Sequence, residues 1–227
     1  SHSEWIHKYT DCYLVGSNGV RDKLAAKGVD RRKIKVTGIP VRLEFKAPGH
    51  RRTDGRRRLL VMGGGLGLMP RKDSFYEALD ALPGTDTTII TGRNQKLYDR
   101  LAGKYPHIEV VGFTDRVYEY MAKADLVLTK PGGITLFEAI FSELPMLAWE
   151  PFLEQEKLNA RFLVKRGLGR VAAKEPEECL AAIRDLLYDD KALADIRANM
   201  RAMKARLAEE SVAHIFAALA AKEARAG

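Results

Sequence analysis

The chain has 227 residues, of which 46% are apolar and 30% are charged, and its formal net charge is +8. This composition indicates a globular protein and excludes a disordered one. The length suffices for one large α/β domain, or for one domain with a fragment of another. No apolar run approaches the length of a membrane span and no signal peptide is visible at the start, so the sequence predicts a cytoplasmic protein.

The positive charge admits nucleic acid, an anionic membrane or a polyanionic substrate as a partner. Much of it lies in a basic stretch at 46–58, which contains five arginines. No aromatic residues are interleaved with them, as a platform for single-stranded nucleic acid would need, so we interpret the stretch as a linker and expect no nucleic-acid partner. The two cysteines and five histidines show no ligand spacing, so the sequence predicts no metal site.

The first 45 residues read as the end of a domain whose beginning is missing. Short strands are predicted at 13–15 and 34–36, with a helix at 19–27 between them whose inner face carries Val20, Leu24 and Ala25. We expect these elements to have no sheet of their own.

From residue 59 onwards strands and helices alternate regularly. Strands are predicted at 59–62, 87–91, 108–111, 126–129 and 146–149, with a short edge strand at 170–173. Helices follow the strands, the later ones at 156–166, 176–188 and 190–208, with a last one from Ser211. Strict alternation predicts a doubly wound, Rossmann-like parallel sheet with right-handed crossovers, so that 59–227 forms one domain with helices at its end.

Two glycine turns follow apolar strands in this domain. The first, at 63–67, contains Gly64 and Gly65; the second, at 130–133, contains Lys130, Gly132 and Gly133. Thr135 and Glu138 have the spacing of a capping box, which predicts that a helix opens directly after the second turn. A glycine turn at a helix N-terminus offers free N–H groups and a positive dipole end, so the pattern predicts a phosphate-bearing ligand at the carboxyl ends of the strands.

The same turns do not fit the best-known nucleotide motifs. The third glycine of a dinucleotide fingerprint would fall on Leu68, and no Gly-Lys-Ser/Thr follows as in a Walker loop. No nucleophile paired with a base is apparent either. The residues therefore favour binding of a phosphate-bearing ligand over self-contained catalysis.

Several polar and aromatic residues near these turns allow two interpretations. Glu138 is either a helix cap or an acceptor for ribose hydroxyls, and Lys130 is either solvated or a phosphate partner. Gln155, Glu156 and Asn159 are either capping residues or ligands for sugar hydroxyls. Phe113 is either a core aromatic or a flat face for a base.

The residues around the second turn resemble the donor half of the family 28 glycosyltransferases of GT-B fold, and most of all the processive diacylglycerol glucosyltransferases and monogalactosyldiacylglycerol synthases. The motif comprises 129–135, Glu138, Ala139, Pro145, 155–157 and Asn159, and 36–42 resembles the hinge segment of that family. The resemblance extends from about residue 11 to about residue 169.

The resemblance implies a UDP-sugar as donor substrate and a lipid such as diacylglycerol as acceptor, with no further cofactor. It places the diphosphate near Arg42, Gly64 and Gly65, and the diphosphate and ribose along Gly132, Gly133 and Thr135. It also assigns the uracil to Phe113 and Thr114, the ribose hydroxyls to Glu138, and the sugar hydroxyls to Gln155 and Glu156.

In that family the acceptor domain, which carries the catalytic base, should precede Tyr13. The sequence thus leads us to expect a donor half that is inactive alone, with 1–45 a remnant of the acceptor domain and the hinge. The full enzyme is expected at the inner face of the plasma membrane, where its partner could include anionic lipid.

Three alternatives stay open at this point. One is a transferase of N-acetylglucosamine onto a lipid-linked peptidoglycan precursor, and another is a UDP-sugar 2-epimerase on the same fold. The third is a phosphate- or nucleic-acid-binding module without catalysis.

Overall fold

A computed structural model describes residues 6–46, 54–67 and 69–209, together with 215 and 217. The chain divides into two compact units, one formed by Ser1–Pro40 with Ala202–Gly227 and the other by Val41–Arg201. Most of the predicted helix from Ser211 and part of the predicted linker lie outside the described residues.

The first unit contains strand β1 (Tyr13–Val15), helix α1 (Asn18–Ala26) and strand β2 (Ile34–Val36). The two strands pair in parallel, so the expectation that they have no sheet of their own is wrong. Ser17 caps α1, because its hydroxyl accepts a hydrogen bond from the N–H of Val20 at 3.4 Å.

A small core of Val15, Leu24, Val29 and Ile34 holds these elements together. Val20, which the helical pattern places on the inner face, is exposed. It lies in the first turn of α1, and a sheet of two three-residue strands offers too little surface to cover that turn.

The second unit is built on six parallel strands: β3 (Arg57–Met62), β4 (Thr85–Ile90), β5 (Ile108–Val111), β6 (Leu126–Thr129), β7 (Met146–Ala148) and β8 (Gly169–Val171). Their order in the sheet is β5-β4-β3-β6-β7-β8. The central strands β3 and β6 contain the buried apolar runs 59–62 and 126–128, as expected for a sheet covered on both faces. The structure thus confirms the predicted doubly wound fold.

Helices connect these strands and make the crossovers: α2 (Asp73–Asp80), α3 (Gln95–Leu101), α4 (Val117–Lys123), α5 (Gly133–Phe141), α6 (Glu154–Lys165) and α7 (Pro176–Leu187), with α8 (Asp190–Glu209) at the end. Strands β3 and β4 each begin two residues before their predicted starts at 59 and 87. Among the described residues, no helix has a length and hydropathy that would suit a membrane crossing.

The strand order places the site. The chain runs outwards from β3 to β5 and then returns to the other side of β3 with β6. The loops after β3 and β6 therefore leave the sheet as neighbours in opposite directions, which is where doubly wound sheets bind their ligands.

Candidate functional site

The two glycine turns lie side by side at the carboxyl ends of the central strands. Met62 at the end of β3 is in register with Thr129 at the end of β6, so both turns begin at the same level. Gly64 has a φ of +71°, and a Cβ added to Gly64 or Gly65 would meet nothing within 4 Å. The backbone of the first turn is therefore open to a ligand.

The first turn is braced by the segment that follows β4. The N–H of Arg93 donates to the carbonyl of Gly65 at 3.2 Å, and the side-chain amide of Asn94 donates to the carbonyl of Gly67 at 3.0 Å. Gly92 has a φ of +58°, and a Cβ there would lie 2.8 Å from the carbonyl oxygen of Gly64. The two loops can therefore touch because Gly92 has no side chain.

The second turn leads directly into a helix, whereas the first does not. Helix α5 begins at Gly133, immediately after the turn, but α2 begins only at Asp73. The two turns therefore do not repeat one design, since a helix dipole acts directly only at the second.

The predicted capping box of Thr135 and Glu138 is wrong. The N-cap of α5 is Gly132, whose carbonyl accepts from the N–H of Leu136 at 2.9 Å, so Thr135 lies within the first turn. Gly132 has no side chain with which to cap, and the first N–H groups of the helix remain available to an anion. The predicted inner face is confirmed, because Leu136, Ala139 and Ile140 are buried.

Glu138 lies in the second turn of α5, where it has no capping role. Burial raises the pKa of its carboxyl group above the ordinary value, and the positive charge of Arg42 acts in the opposite direction. A half-buried carboxylate is a strong acceptor for hydroxyl donors of a ligand.

Arg42 is held largely by the protein itself. Its Nη2 donates to the carbonyl of Asp115 at 2.6 Å, and its guanidinium packs over the rings of Tyr118, at 5.2 Å, and Phe45, at 5.8 Å. The structure thus brings Arg42 to the loop after β5 and close enough to Glu138 for their charges to interact.

Phe113, directly after β5, is 65% exposed, which rules out a core role. The guanidinium of Arg93 lies over its ring, 5.3 Å from the centroid. The hydroxyl of Thr114 accepts from the N–H of Arg116 at 3.0 Å, and because α4 begins only at Val117, Thr114 does not cap that helix. An exposed ring at a strand end is a surface on which a planar base can stack.

The loop between β7 and α6 carries the remaining candidates. Glu156 caps α6, since its Oε2 accepts from the N–H groups of Phe152 at 3.3 Å and Leu153 at 3.4 Å. Asn159 donates to the carbonyl of Pro131 at 2.9 Å and so ties α6 to the second glycine turn. Gln155 is exposed, and Lys130 is partly exposed.

Two residues of the site, Arg93 and Asn94, have no candidate role in the sequence. Their contacts to the first turn and to Phe113 join loops that are far apart in the sequence. No local sequence motif therefore indicates a role for these two residues. Within the described ranges, no group of three or more His, Cys, Asp or Glu residues could hold a metal ion.

A cavity of about 700 Å³ lies elsewhere on this unit, beside α4. Arg58, Asp86 and Lys123 are among its lining residues. Arg58 and Asp86 belong to the first two residues of β3 and β4, so the cavity opens near the other end of the sheet and takes no part in the site.

The fold is the Rossmann-like, doubly wound fold of the C-terminal half of GT-B glycosyltransferases. Residues 59–213 match the family described as glycosyltransferase family 28 C-terminal domain, and residues 1–41 match that of monogalactosyldiacylglycerol (MGDG) synthase. The chain belongs to glycosyltransferase family 28.

A curated relative is the processive diacylglycerol beta-glucosyltransferase of Bacillus licheniformis, which is 30% identical over 214 residues. The match covers 89% of this chain and 56% of the relative, so the chain spans about half the length of the curated relatives it matches.

Solved structures share the fold. The calicheamicin glycosyltransferase CalG4 has a TM-score of 0.63 at 19% identity, with 95% of this chain and 52% of that chain covered. Anabaena Alr3699/HepE in complex with UDP and glucose has a TM-score of 0.57 at 16% identity, with 92% and 63% covered.

Proposed function

We propose that this chain binds a UDP-hexose for an enzyme that transfers the hexose to a membrane lipid such as diacylglycerol. The observation that carries the proposal is the convergence of three features at one edge of the sheet. They are an open glycine turn after β3, an α5 N-terminus without a side-chain cap, and the half-buried carboxylate of Glu138. Family membership and the name of the Bacillus licheniformis relative support the choice of substrates.

The donor lies across the carboxyl ends of the strands in this proposal. Uracil stacks on Phe113 and bonds to the backbone of Thr114, and Glu138 accepts from the ribose hydroxyls. The diphosphate lies along the backbone of both turns, the N-terminus of α5 and the Thr135 hydroxyl, with Arg42 and Lys130 adding positive charge. Gln155 contacts the hexose, and Glu156 contacts it through Oε1, since its Oε2 caps α6.

The reaction breaks the bond between the hexose anomeric carbon and the diphosphate oxygen. The lipid hydroxyl oxygen forms the new bond to that carbon, its proton is released, and UDP leaves with the bonding electron pair. Negative charge develops on the diphosphate, where the free N–H groups and dipole of α5 are already oriented towards it. The proposal includes no cofactor or metal beyond the donor substrate, and it assigns no catalytic base within the chain.

A lipid acceptor would require the enzyme to act at a membrane surface. We propose peripheral attachment at the inner face of the plasma membrane, and the net charge of +8 is complementary to anionic lipid there.

Calorimetry with UDP, ADP and GDP tests the proposal. We expect UDP to bind with a dissociation constant of roughly 10 µM to 1 mM, and the purine nucleotides to bind more weakly. Equal affinity for ADP and UDP would refute the uracil assignment. Binding of an oligonucleotide with steep salt dependence, in the absence of UDP binding, would instead support a nucleic-acid module.

A further inference from the structure

Arg93 stands between the two parts of the site that the donor must bridge. It follows β4, and β4 lies between β5, which leads to Phe113, and β3, which leads to the first glycine turn. Any ligand that stacks on Phe113 and reaches Gly64 and Gly65 therefore crosses the end of the strand that carries Arg93.

The backbone of Arg93 is fixed relative to the first turn. Its N–H donates to Gly65, and the absence of a side chain at Gly92 lets the segment approach Gly64 closely. The Cα of Arg93 therefore keeps its position relative to the backbone groups that we propose as ligands of the diphosphate.

The guanidinium of Arg93 packs on an aromatic face without a carboxylate partner among the described contacts. By contrast, Arg56 and Arg58 both donate to Asp86, and Arg57 pairs with Asp190. The guanidinium carbon lies 5.3 Å from the centroid of the Phe113 ring, and because this contact involves no oxygen acceptor, the N–H donors can still form hydrogen bonds to a ligand.

Arg42 is less suited to the same task. Its Nη2 already donates to Asp115, and its guanidinium is packed over both Tyr118 and Phe45. An anion that took hydrogen bonds from Arg42 would have to compete with these contacts, whereas among the described residues the Arg93 side chain has its ring contact with Phe113 to retain.

We propose that Arg93 binds the diphosphate of the donor, with Phe113 as the platform that holds its guanidinium in place. The inference rests on the proposed function and adds a residue to it. A charged arginine with a planar set of donors matches phosphate oxygens in geometry and in charge.

The experiment compares the Arg93→Ala and Arg93→Lys variants with the unsubstituted chain, using uridine, UMP and UDP as probes. Calorimetry measures the affinities for UMP and UDP, and an NMR titration measures the affinity for uridine. We expect Arg93→Ala to bind UDP about 10-fold more weakly, with a smaller loss for UMP and little change for uridine. Arg93→Lys should recover part of the loss, because it keeps the charge.

Arg100→Ala is the matched control. Arg100 also packs its guanidinium over an aromatic ring, 5.5 Å from the centroid of Tyr76, but it belongs to α3 and donates to the carbonyl of Arg71. Its removal should leave UDP affinity unchanged, and thermal melts of all variants establish that they are folded.

The outcomes separate this inference from the function on which it rests. An unsubstituted chain that fails to bind UDP contradicts the proposed function itself. If that chain binds UDP and Arg93→Ala binds it equally well, Arg93 has no role in the site. Equal losses for uridine and UDP would show that Arg93 serves the base rather than the diphosphate, and would overturn the proposal.

Discussion

At the scale of single residues, the burial of Glu138 bears on its proposed role in binding. Removal from water raises the pKa of its carboxyl group, so the folded protein bears the cost of a partly desolvated charge. In the proposed complex, ribose hydroxyls replace the lost water. The buried charge thus lowers the stability of the free domain and, in the proposed complex, strengthens the binding of UDP.

The Glu138→Gln variant tests both effects, on UDP binding and on stability. We expect UDP binding to weaken by about 1.5–3 kcal/mol, because charge-assisted hydrogen bonds are lost. The melting temperature should stay constant or rise, since glutamine carries no charge to desolvate. Calorimetry and thermal melts measure the two effects.

The sign of the pH effect follows from the direction of the shift. A raised carboxyl pKa means that the folded state binds the proton more readily than the unfolded state does, so this group stabilises the fold as the pH falls towards that pKa. UDP affinity should decrease over the same range, because the carboxylate is lost. Glu77→Gln, on the exposed face of α2, is the control and should show neither effect. Unchanged UDP affinity in Glu138→Gln would contradict the ribose role.

At the scale of elements, the first glycine turn depends on a close approach between loops. Gly92 and Gly84 have nearly the same φ, +58° and +55°, but only at Gly92 would a Cβ meet backbone, 2.8 Å from the Gly64 oxygen and 2.9 Å from the Gly65 oxygen. At Gly84 the added atom would meet nothing within 4 Å. Comparison of alanine variants at Gly84 and Gly92 therefore separates the free-energy cost of the backbone conformation from that of the steric clash.

We expect Gly84→Ala to lower the free energy of unfolding by about 1 kcal/mol, the usual cost of a left-handed conformation for alanine. Gly92→Ala should cost clearly more and should also weaken UDP binding, because the first turn must move. Denaturant unfolding and calorimetry measure both variants. Equal destabilisation with unchanged UDP affinity would show that the contact between the two loops does not matter for the site.

The elements also show what the sequence could predict. Apolar runs such as 126–128 gave the strands almost to the residue, because a strand buried on both faces requires a continuous apolar sequence. The start of α5 was missed because Thr135 and Glu138 have the spacing of a capping box, while the backbone of Gly132 can begin a helix without one. Side-chain spacing carries no information about that choice.

The site was predictable only in part. Both glycine turns and Phe113 stand out because they directly follow strands. The role of Glu156 as a cap was one of two open interpretations, and the contacts of its Oε2 establish it. The stacking of Arg93 on Phe113 depends on strand order, which local patterns do not contain.

At the scale of the whole domain, ion pairs secure the ends of the strands opposite the site. Asp86, at the second residue of β4, accepts from both Arg56 and Arg58. The hydrogen bond from Arg56 and the nearby charge of Arg58 lower the pKa of the Asp86 carboxyl group. The pairing joins the entry into β3 to the start of β4.

Asp86→Asn should lower the free energy of unfolding by about 1 kcal/mol at neutral pH, a modest amount because the side chain is 39% exposed and solvent screens the pair. A lowered carboxyl pKa gives stability that is complete above the unfolded value near 3.8 and is lost as the pH falls through the folded value. The difference between the two proteins should therefore disappear in acid, which denaturant unfolding at several pH values can measure.

Asp195→Asn serves as the comparison. Asp195 pairs with Lys191 on the surface of α8, where the two side chains are 64% and 87% exposed. Its loss should change the free energy of unfolding much less than the loss of Asp86 does, because water screens an exposed pair. If both variants lose equal stability, the Asp86 contacts are no more than ordinary surface pairs.

The order of the strands also sets the distance between the two ends of the proposed site. From the end of β5, with Phe113, to the end of β7, which leads to Gln155, the sheet advances by four strand spacings. At about 4.8 Å for each spacing, this is roughly 19 Å. A mononucleotide seated on Phe113 ends well before the far loop, whereas a second phosphate and a sugar extend towards it. The width of the sheet alone thus sets a minimum length for a molecule that touches both ends, before any single contact distinguishes one sugar from another.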